Sequence, residues 1–404
     1  MDATLERTIR ERIEFEKART EPAPDSIAVP LIPTERYTDP EFFALEIERI
    51  FHRTWLFAGH ESEWAEPGAY RVFDRAQAPI VIVRGHDGVV RAFYNACRHR
   101  GAPVTRDDCG VAKRLTCQYH SWSYDTEGVL RAVPDARSFA ELETDQLGLV
   151  PVRCEVWEGW VFVNEDPDAA PLVEFLGPIA EQMLDINGPA MRKVGTQTHR
   201  IAANWKLMVD AFLEVYHVRT VHPDNAALLY DDRSVTVAML ANGHSRLTTE
   251  KHEALRDFPM VSEEHDNPSV GLLWRQTSTS FGIFPNLVVP MDTGAFTFLC
   301  MWPVDVGHME LALEWYAPAW DGDTVPQEHL DRMALFETVM AQDTANMAPI
   351  QASIESPGAR PFQIGWHERL IHHFQRAVDL AIGVDRLPAG TAVSDALDRY
   401  VESA

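Results

Sequence analysis

The 404-residue sequence contains only five cysteines, too few and too scattered for a disulfide framework. No window of 18 uninterrupted apolar residues occurs, so a helical membrane span is not expected. Positive charge is scarce as well: 36 Lys and Arg stand against 61 Asp and Glu, a net charge of −25. So acidic a chain repels nucleic acid and anionic membrane, and it suits a protein partner with a basic docking patch. No glycine-rich dinucleotide fingerprint follows a strand-like run, and there is no internal repeat or low-complexity tract. The opening residues, MDATLERTIRERIEFEKART, are charged throughout and lack an apolar signal core, which together with the sparse cysteines predicts the reducing cytoplasm.

What is present reads as a globular enzyme of two or three domains, 46% hydrophobic and 24% charged. A surface helix is expected over residues 4–20, followed by a Pro-rich linker and a second helix opening at Asp39-Pro40, an N-cap followed by proline at the first helical position. From Trp55 the texture changes to short β-type runs such as Tyr70–Phe73, Ile80–Val83, Val89–Tyr94 and Trp160–Asn164. Residues 172–192 read as helical, and Phe281–Pro290, Ala295–Pro303 and Met309–Tyr316 as neighbouring antiparallel strands. Helices over Gln327–Gln351 and Trp366–Ile382 complete the pattern. The expected fold class is α+β, a small all-β module inserted into a larger domain. The expected divisions are a helical segment over 1–40, the β module over 41–165 and the larger domain over 166–404.

Two cysteine–histidine pairs stand in the β module: Cys97-Arg98-His99, then Cys117-Gln118-Tyr119-His120, with residues 100–116 between them. Two thiolates can hold one iron of a [2Fe–2S] cluster while two imidazoles hold the other. Zinc in a Cys₂His₂ site is the alternative, but such sites usually pair Cys with Cys and His with His. Cys109, Cys154 and Cys300 have no such pattern and read as small buried apolar residues.

A second constellation lies in NWKLMVDAFLEVYHVRTVHP, residues 204–223. Asp210, Glu214 and His217 are spaced four and three apart, one stripe on a helix, and His222 directly precedes Pro223, just past the expected helix end. Imidazoles beside carboxylates are the donor set of a non-haem iron site.

The segment Cys97-Arg98-His99-Arg100-Gly101 with Cys117-Gln118-Tyr119-His120-Ser121-Trp122 resembles the cluster-binding loops of Rieske non-haem iron oxygenases, the large (alpha) subunits of ring-hydroxylating enzymes. Respiratory Rieske proteins carry a further cysteine in each loop, and neither loop has one here. The sequence departs from the commonest family pattern at Gln118, often proline, and Ser121, often glycine. Asn204-Trp205-Lys206 with the residues that follow is similar to the family's mononuclear iron segment, and Gln342-Asp343 to the Gln-Asp pair that supplies its third ligand.

The resemblance implies a Rieske β domain in a helix-grip (Bet v1-like or START-like) catalytic domain with an antiparallel sheet. It implies that Cys97, His99, Cys117 and His120 hold the cluster, and that His217, His222 and Asp343 hold Fe(II) as a 2-His-1-carboxylate facial triad. Glu214 is the implied bridge, accepting hydrogen bonds from His217 and from His120 of a neighbouring copy in a head-to-tail trimer, with Asp210 as rival. Trp122 and Tyr119 are expected to shield the cluster. Ala211, Phe212, Phe284, Asn286, Phe336 and Val339 are the candidate substrate contacts.

The implied activity is that of a terminal oxygenase acting with O₂ on an aromatic or other hydrophobic substrate. NAD(P)H electrons would come through a separate reductase, ferredoxin or both, with or without a small beta subunit. The alternatives are a Rieske monooxygenase or demethylase of quaternary amines or N- or O-methyl groups, an electron carrier with the cluster alone, and a structural zinc protein.

Overall fold

The computed structural model describes residues 2–75 and 78–402. The chain divides into two compact units, residues 51–172 and residues 1–50 with 173–404. The seams therefore lie at 50/51 and 172/173, not at the expected 40/41 and 165/166. The first lies later because helix Pro40–Glu46 is anchored in the larger unit: Glu46 is fully buried, pairs with Lys206 Nζ at 2.6 Å and accepts from Trp205 Nε1 at 3.1 Å.

The smaller unit is all-β apart from single turns of 3₁₀ helix and the single helical residues at its two seams. Seven antiparallel strands run in the order Leu56–His60, Trp160–Asn164, Pro151–Trp157, Val90–Tyr94, Ala78–Arg84, Ala69–Arg75, Cys109–Val111. A three-stranded sheet, Leu115–Thr116, Ser123–Tyr124 and Leu130–Ala132, lies beside it in sequence. Tyr70, Val81, Val83, Phe93, Trp122 and Tyr124 share one buried core with Cys97 and Cys117. Cys300 is buried as expected, whereas Cys109 is exposed, since strand Cys109–Val111 forms the edge of its sheet.

The larger unit is α+β. Its eight-stranded sheet runs Met191–Ile201, His308–Pro318, Phe296–Asp305, Leu287–Pro290, Thr277–Ile283, Ser245–Glu250, Thr236–Leu240, Val401–Glu402. All neighbours are antiparallel except the last pair. The 28-residue helix Gln327–Ile354 packs on this unit, and Gln351 Oε1 accepts from Asn204 N at 2.9 Å, tying it to the start of helix Trp205–Ala211. The first helix, Ala3–Ala18, buries Ile9 and Ile13 and pairs Lys17 with Glu250 at 2.7 Å.

Two expected elements are broken. The 172–192 helix is interrupted at Gly177-Pro178 and Gly188-Pro189, where Gly177 takes φ +50 and Met191 already begins a strand. The Phe281–Pro290 run is a hairpin, strands Thr277–Ile283 and Leu287–Pro290, because Pro285 has no N–H for a ladder.

Buried histidines carry part of the stability. His244 Nε2 donates to Phe175 O at 2.7 Å, and Phe284 N donates to His244 Nδ1 at 3.0 Å, which fixes the neutral tautomer. Burial pushes His244, His329 and His372 down from 6.5 to about 4. The unfolded chain therefore binds more protons between those values, and the stability is complete above pH 6.5 and lost as pH falls toward 4. The urea midpoint should drop across this window. His244→Gln, with a donor and an acceptor but no titration, should shallow the slope; an unchanged slope would count against this role.

Candidate metal centres

The first constellation is built from two loops of matching geometry. In one, Cys97 N donates to Ala102 O at 2.8 Å and Gly101 N to Cys97 O at 2.8 Å. In the other, Cys117 N donates to Trp122 O at 2.9 Å and Ser121 N to Cys117 O at 2.9 Å. Both loops need a left-handed residue four positions after the cysteine, Gly101 at φ +74 and Ser121 at φ +58. That is why glycine is natural at the Ser121 position; a residue with a Cβ is there at a cost of about 1 kcal/mol.

These loops bury both thiols, and the two cysteines lie close enough to perturb each other. The imidazoles of His99 and His120 stack edge-on at 4.6 Å between centroids. The set fits a mixed-ligand cluster on two counts. His99 Nδ1 is buried with no hydrogen-bond partner, a cost that metal ligation would remove. Burial raises the Cys97 thiol, opposed by Tyr124, so the thiolate is favoured only with a cation beside it. The indole of Trp122 is buried and lies parallel to His99 at 5.0 Å, whereas Tyr119 packs on His120 at 3.9 Å but is itself 53% exposed.

Sequence reading missed Tyr124. Its hydroxyl accepts from Arg98 N at 3.0 Å and lies within hydrogen-bond distance of Cys97 Sγ, at 3.3 Å. A tyrosine ending a strand-like run gave no signal of this contact.

The second constellation is not one helical stripe. Helix Trp205–Ala211 ends at Phe212, and a new turn, Val218–Val221, begins after His217. The break has a local cause: the Glu214 carboxylate accepts from the backbone N–H groups of Tyr216 and His217, capping the second turn. Asp210 consequently points elsewhere. It accepts from Tyr37 Oη at 2.6 Å and Gln375 Nε2 at 3.1 Å, and burial pushes its carboxyl up to about 7. Asp210 is thus a part of the buried network behind the helix and not a bridge between imidazoles.

His217, His222 and Asp343 come together, with one ligand atom from each lying within 4.8 Å of the others. Asp343 Oδ1 is 2.8 Å from His222 Nε2 and 3.6 Å from His217 Nε2. In both rings Nδ1 is already engaged. His217 Nδ1 donates to Glu214 Oε1, and His222 Nδ1 donates at 2.7 Å to Gln342 Oε1, which also accepts from Asn225 Nδ2 at 3.0 Å. Each Nε2 therefore carries the ring's lone pair and faces Asp343, the arrangement that ligation of a divalent ion among the three requires. Burial raises the Asp343 carboxyl, opposed by His222 and His217; burial works to lower His217, and the Glu214 hydrogen bond outweighs it. Three protein donors, two nitrogens and one oxygen, fit a facial-triad iron with open positions.

Beside the triad lies a cavity of about 310 Å³ within the larger unit. Of the expected substrate contacts, Ala211, Phe212, Phe336 and Val339 line it. Phe284 and Asn286 do not. Phe284 is buried against Phe374, and Asn286 Nδ2 donates to Met301 O at 3.2 Å, because both belong to the hairpin turn rather than to a strand facing the cavity. Most of the wall is aliphatic or phenyl, with Leu229, Leu247, Val218 and Met340, but Tyr230 and Trp315 also reach it.

The comparisons with known proteins follow the same two-part division. Residues 54–149 match the Rieske [2Fe-2S] domain, and residues 189–383 the ring hydroxylating alpha subunit (catalytic domain). The chain is 38% identical over 190 residues to the chlorobenzene dioxygenase subunit alpha of Cupriavidus sp. (strain PS12), covering 46% of this chain and 42% of that protein. It is 35% identical over 204 residues to the carnitine monooxygenase oxygenase subunit of Escherichia coli (strain K12), covering 50% and 54%. The matched stretch thus spans only about half the length of these curated relatives. A solved quaternary ammonium Rieske monooxygenase shares the fold, with TM-score 0.76, 24% identity and coverage of 88% of this chain and 95% of that one. No helix among the described residues is long and apolar enough to cross a membrane. With both of its domains in order and a donor set for each metal group, the chain belongs to the Rieske non-haem iron oxygenases, with the organisation of their large (alpha) subunit.

Proposed function

We propose that this chain is the terminal oxygenase component of a multicomponent system that hydroxylates an aromatic or other hydrophobic substrate. The observation that carries the reading is the convergence of His217, His222 and Asp343 on one point beside a largely apolar cavity, in a chain that also has a Rieske module. Cys97, His99, Cys117 and His120 would hold the cluster, and the triad the iron. When bound, these groups supply the electrons and the dioxygen activation that the protein's side chains cannot.

The chain's own residues have three tasks. Gln342 and Glu214 hold the imidazoles by Nδ1 and so set where each Nε2 points. Glu214, its side chain only 10% exposed, has one oxygen on His217 and is the group through which a neighbouring copy's His120 would be coupled. Ala211, Phe212, Phe336 and Val339 exclude water and press the substrate toward the triad. Reducing equivalents would come from NAD(P)H through a separate reductase, a ferredoxin or both. The working assembly would be a homotrimer, with or without a small beta subunit, in the cytoplasm.

A second reading, monooxygenation of a quaternary amine or of N- or O-methyl groups, is supported by the likeness to the carnitine monooxygenase subunit and by Tyr230 and Trp315, whose faces suit a cation. Substrate-dependent oxygen uptake with a surrogate reductase separates the two readings: aromatic hydrocarbons and acids should stimulate it, and quaternary amines should not.

Purified protein should contain about three irons per chain and show Rieske absorption, as the two ligand sets require. A colourless zinc protein, or two irons only, would contradict the oxygenase reading. Asp343→Ala should lose the mononuclear iron and retain the cluster spectrum; unchanged iron content would remove Asp343 from the ligand set. Glu214→Gln should keep both metal groups and reduce coupled turnover by about 100-fold or more, and normal turnover would remove its bridging role.

A further inference from the structure

The helix that carries Asp343 also carries a cation on the same face. Arg332, Phe336, Val339 and Asp343 recur at intervals of four, three and four residues, and all four line the cavity. Eleven residues of helix place Arg332 about 16 Å along the axis from Asp343. The cavity is therefore elongated along this helix, with an oxidising end at the triad, an apolar middle at Phe336 and Val339, and a charged end at Arg332.

The charged end is incompletely satisfied. Arg332 Nη1 donates to Met260 O at 2.8 Å, and Nη2 pairs with Asp292, but Nε is buried with no partner. Asp292 cannot neutralise the region alone. Its Oδ1 already accepts from Thr293 N at 2.6 Å and Gly294 N at 3.0 Å, and it sits within electrostatic reach of both Arg332 and the largely buried Lys251. The Asp292 carboxylate is thus shared between Arg332 and two backbone N–H donors, which leaves the guanidinium short of a full partner. The cavity wall also holds two buried hydroxyls without partners, Thr249 Oγ1 and Thr297 Oγ1.

We infer that the substrate is an elongated amphiphile: an apolar, ring-bearing body that reaches the triad, and a terminal carboxylate or similar oxyanion received by Arg332. This inference rests on the oxygenase reading, since it takes the triad end as the reacting end. A guanidinium favours a carboxylate over its neutral carboxamide, because a hydrogen bond to an ionised acceptor is charge-assisted and one to an amide oxygen is not.

Anaerobic titration calorimetry of the iron-loaded protein tests it, with 4-biphenylcarboxylate, its neutral carboxamide and benzoate as probes. The wild type should bind the biphenyl acid about tenfold or more tighter than the carboxamide, as a charge-assisted hydrogen bond implies. It should also bind that acid more tightly than benzoate, which is too short to span the cavity. Arg332→Gln should abolish the preference over the carboxamide while affinity for the carboxamide, iron content and the Rieske spectrum persist. Asp292→Asn, which removes the competing carboxylate, should strengthen binding of the acid. Equal affinity for acid and amide in the wild type, no binding of either, or a preference that survives Arg332→Gln would overturn the inference. Loss of the oxygenase reading would show separately, as protein with no Rieske spectrum or without mononuclear iron.

Discussion

The mononuclear centre depends on two hydrogen bonds that do not touch its open face. An imidazole can present either nitrogen, and a triad needs both rings to present the same one to a single point. Glu214 takes Nδ1 of His217 and Gln342 takes Nδ1 of His222, so the choice is made before any ion arrives. Both acceptors are themselves held. Glu214 is fixed by the backbone N–H groups it caps, and Gln342 also accepts from Asn225, which opens the next short helix. The site is prearranged by ordinary amide and carboxylate contacts.

Behind that face a buried polar network gives helix Trp205–Ala211 its position. Arg36, 1% exposed, meets Asp379, Gln375 Oε1 at 2.9 Å and Thr391 O at 2.7 Å, while Tyr37 and Gln375 share Asp210. Lys206 pairs with Glu46 with neither side chain exposed. Pairs of this kind add little net stability over apolar packing, but losing one partner strands a charge, so they penalise any other placement of the helix. The same helix thus turns Asp210 into the network and ends where Glu214 can face the triad.

The division of labour between the two acids shows how far the sequence could be read. Spacing put Asp210, Glu214 and His217 on one stripe, and a continuous helix would have made Asp210 a rival. The helix ends at Phe212 because Glu214 competes for the backbone N–H groups downstream, a choice that spacing cannot register. Phe284 and Asn286 were misread for a related reason: an apolar run with one proline looks like a strand, yet Pro285 places both residues in a turn. Cys97, His99, Cys117 and His120 were legible as a candidate cluster site because their loops are short and local and their residue types suit mixed ligation.

By itself the sequence determined the two Cys–His pairs, the stretch that holds Glu214, His217 and His222, the α+β division and the acidic composition, all of which depend on residue type, local spacing or composition. Only the tertiary structure decided that Asp343, more than a hundred residues from His222, meets it at 2.8 Å, and that Gln342 beside it is the acceptor that orients it. Only the structure brought Arg332, Thr249 and Thr297 to the wall of one cavity. Helix periodicity could put Arg332 in line with Asp343, but strands far apart in sequence supply the opposite wall, and no local pattern encodes which helix face they meet.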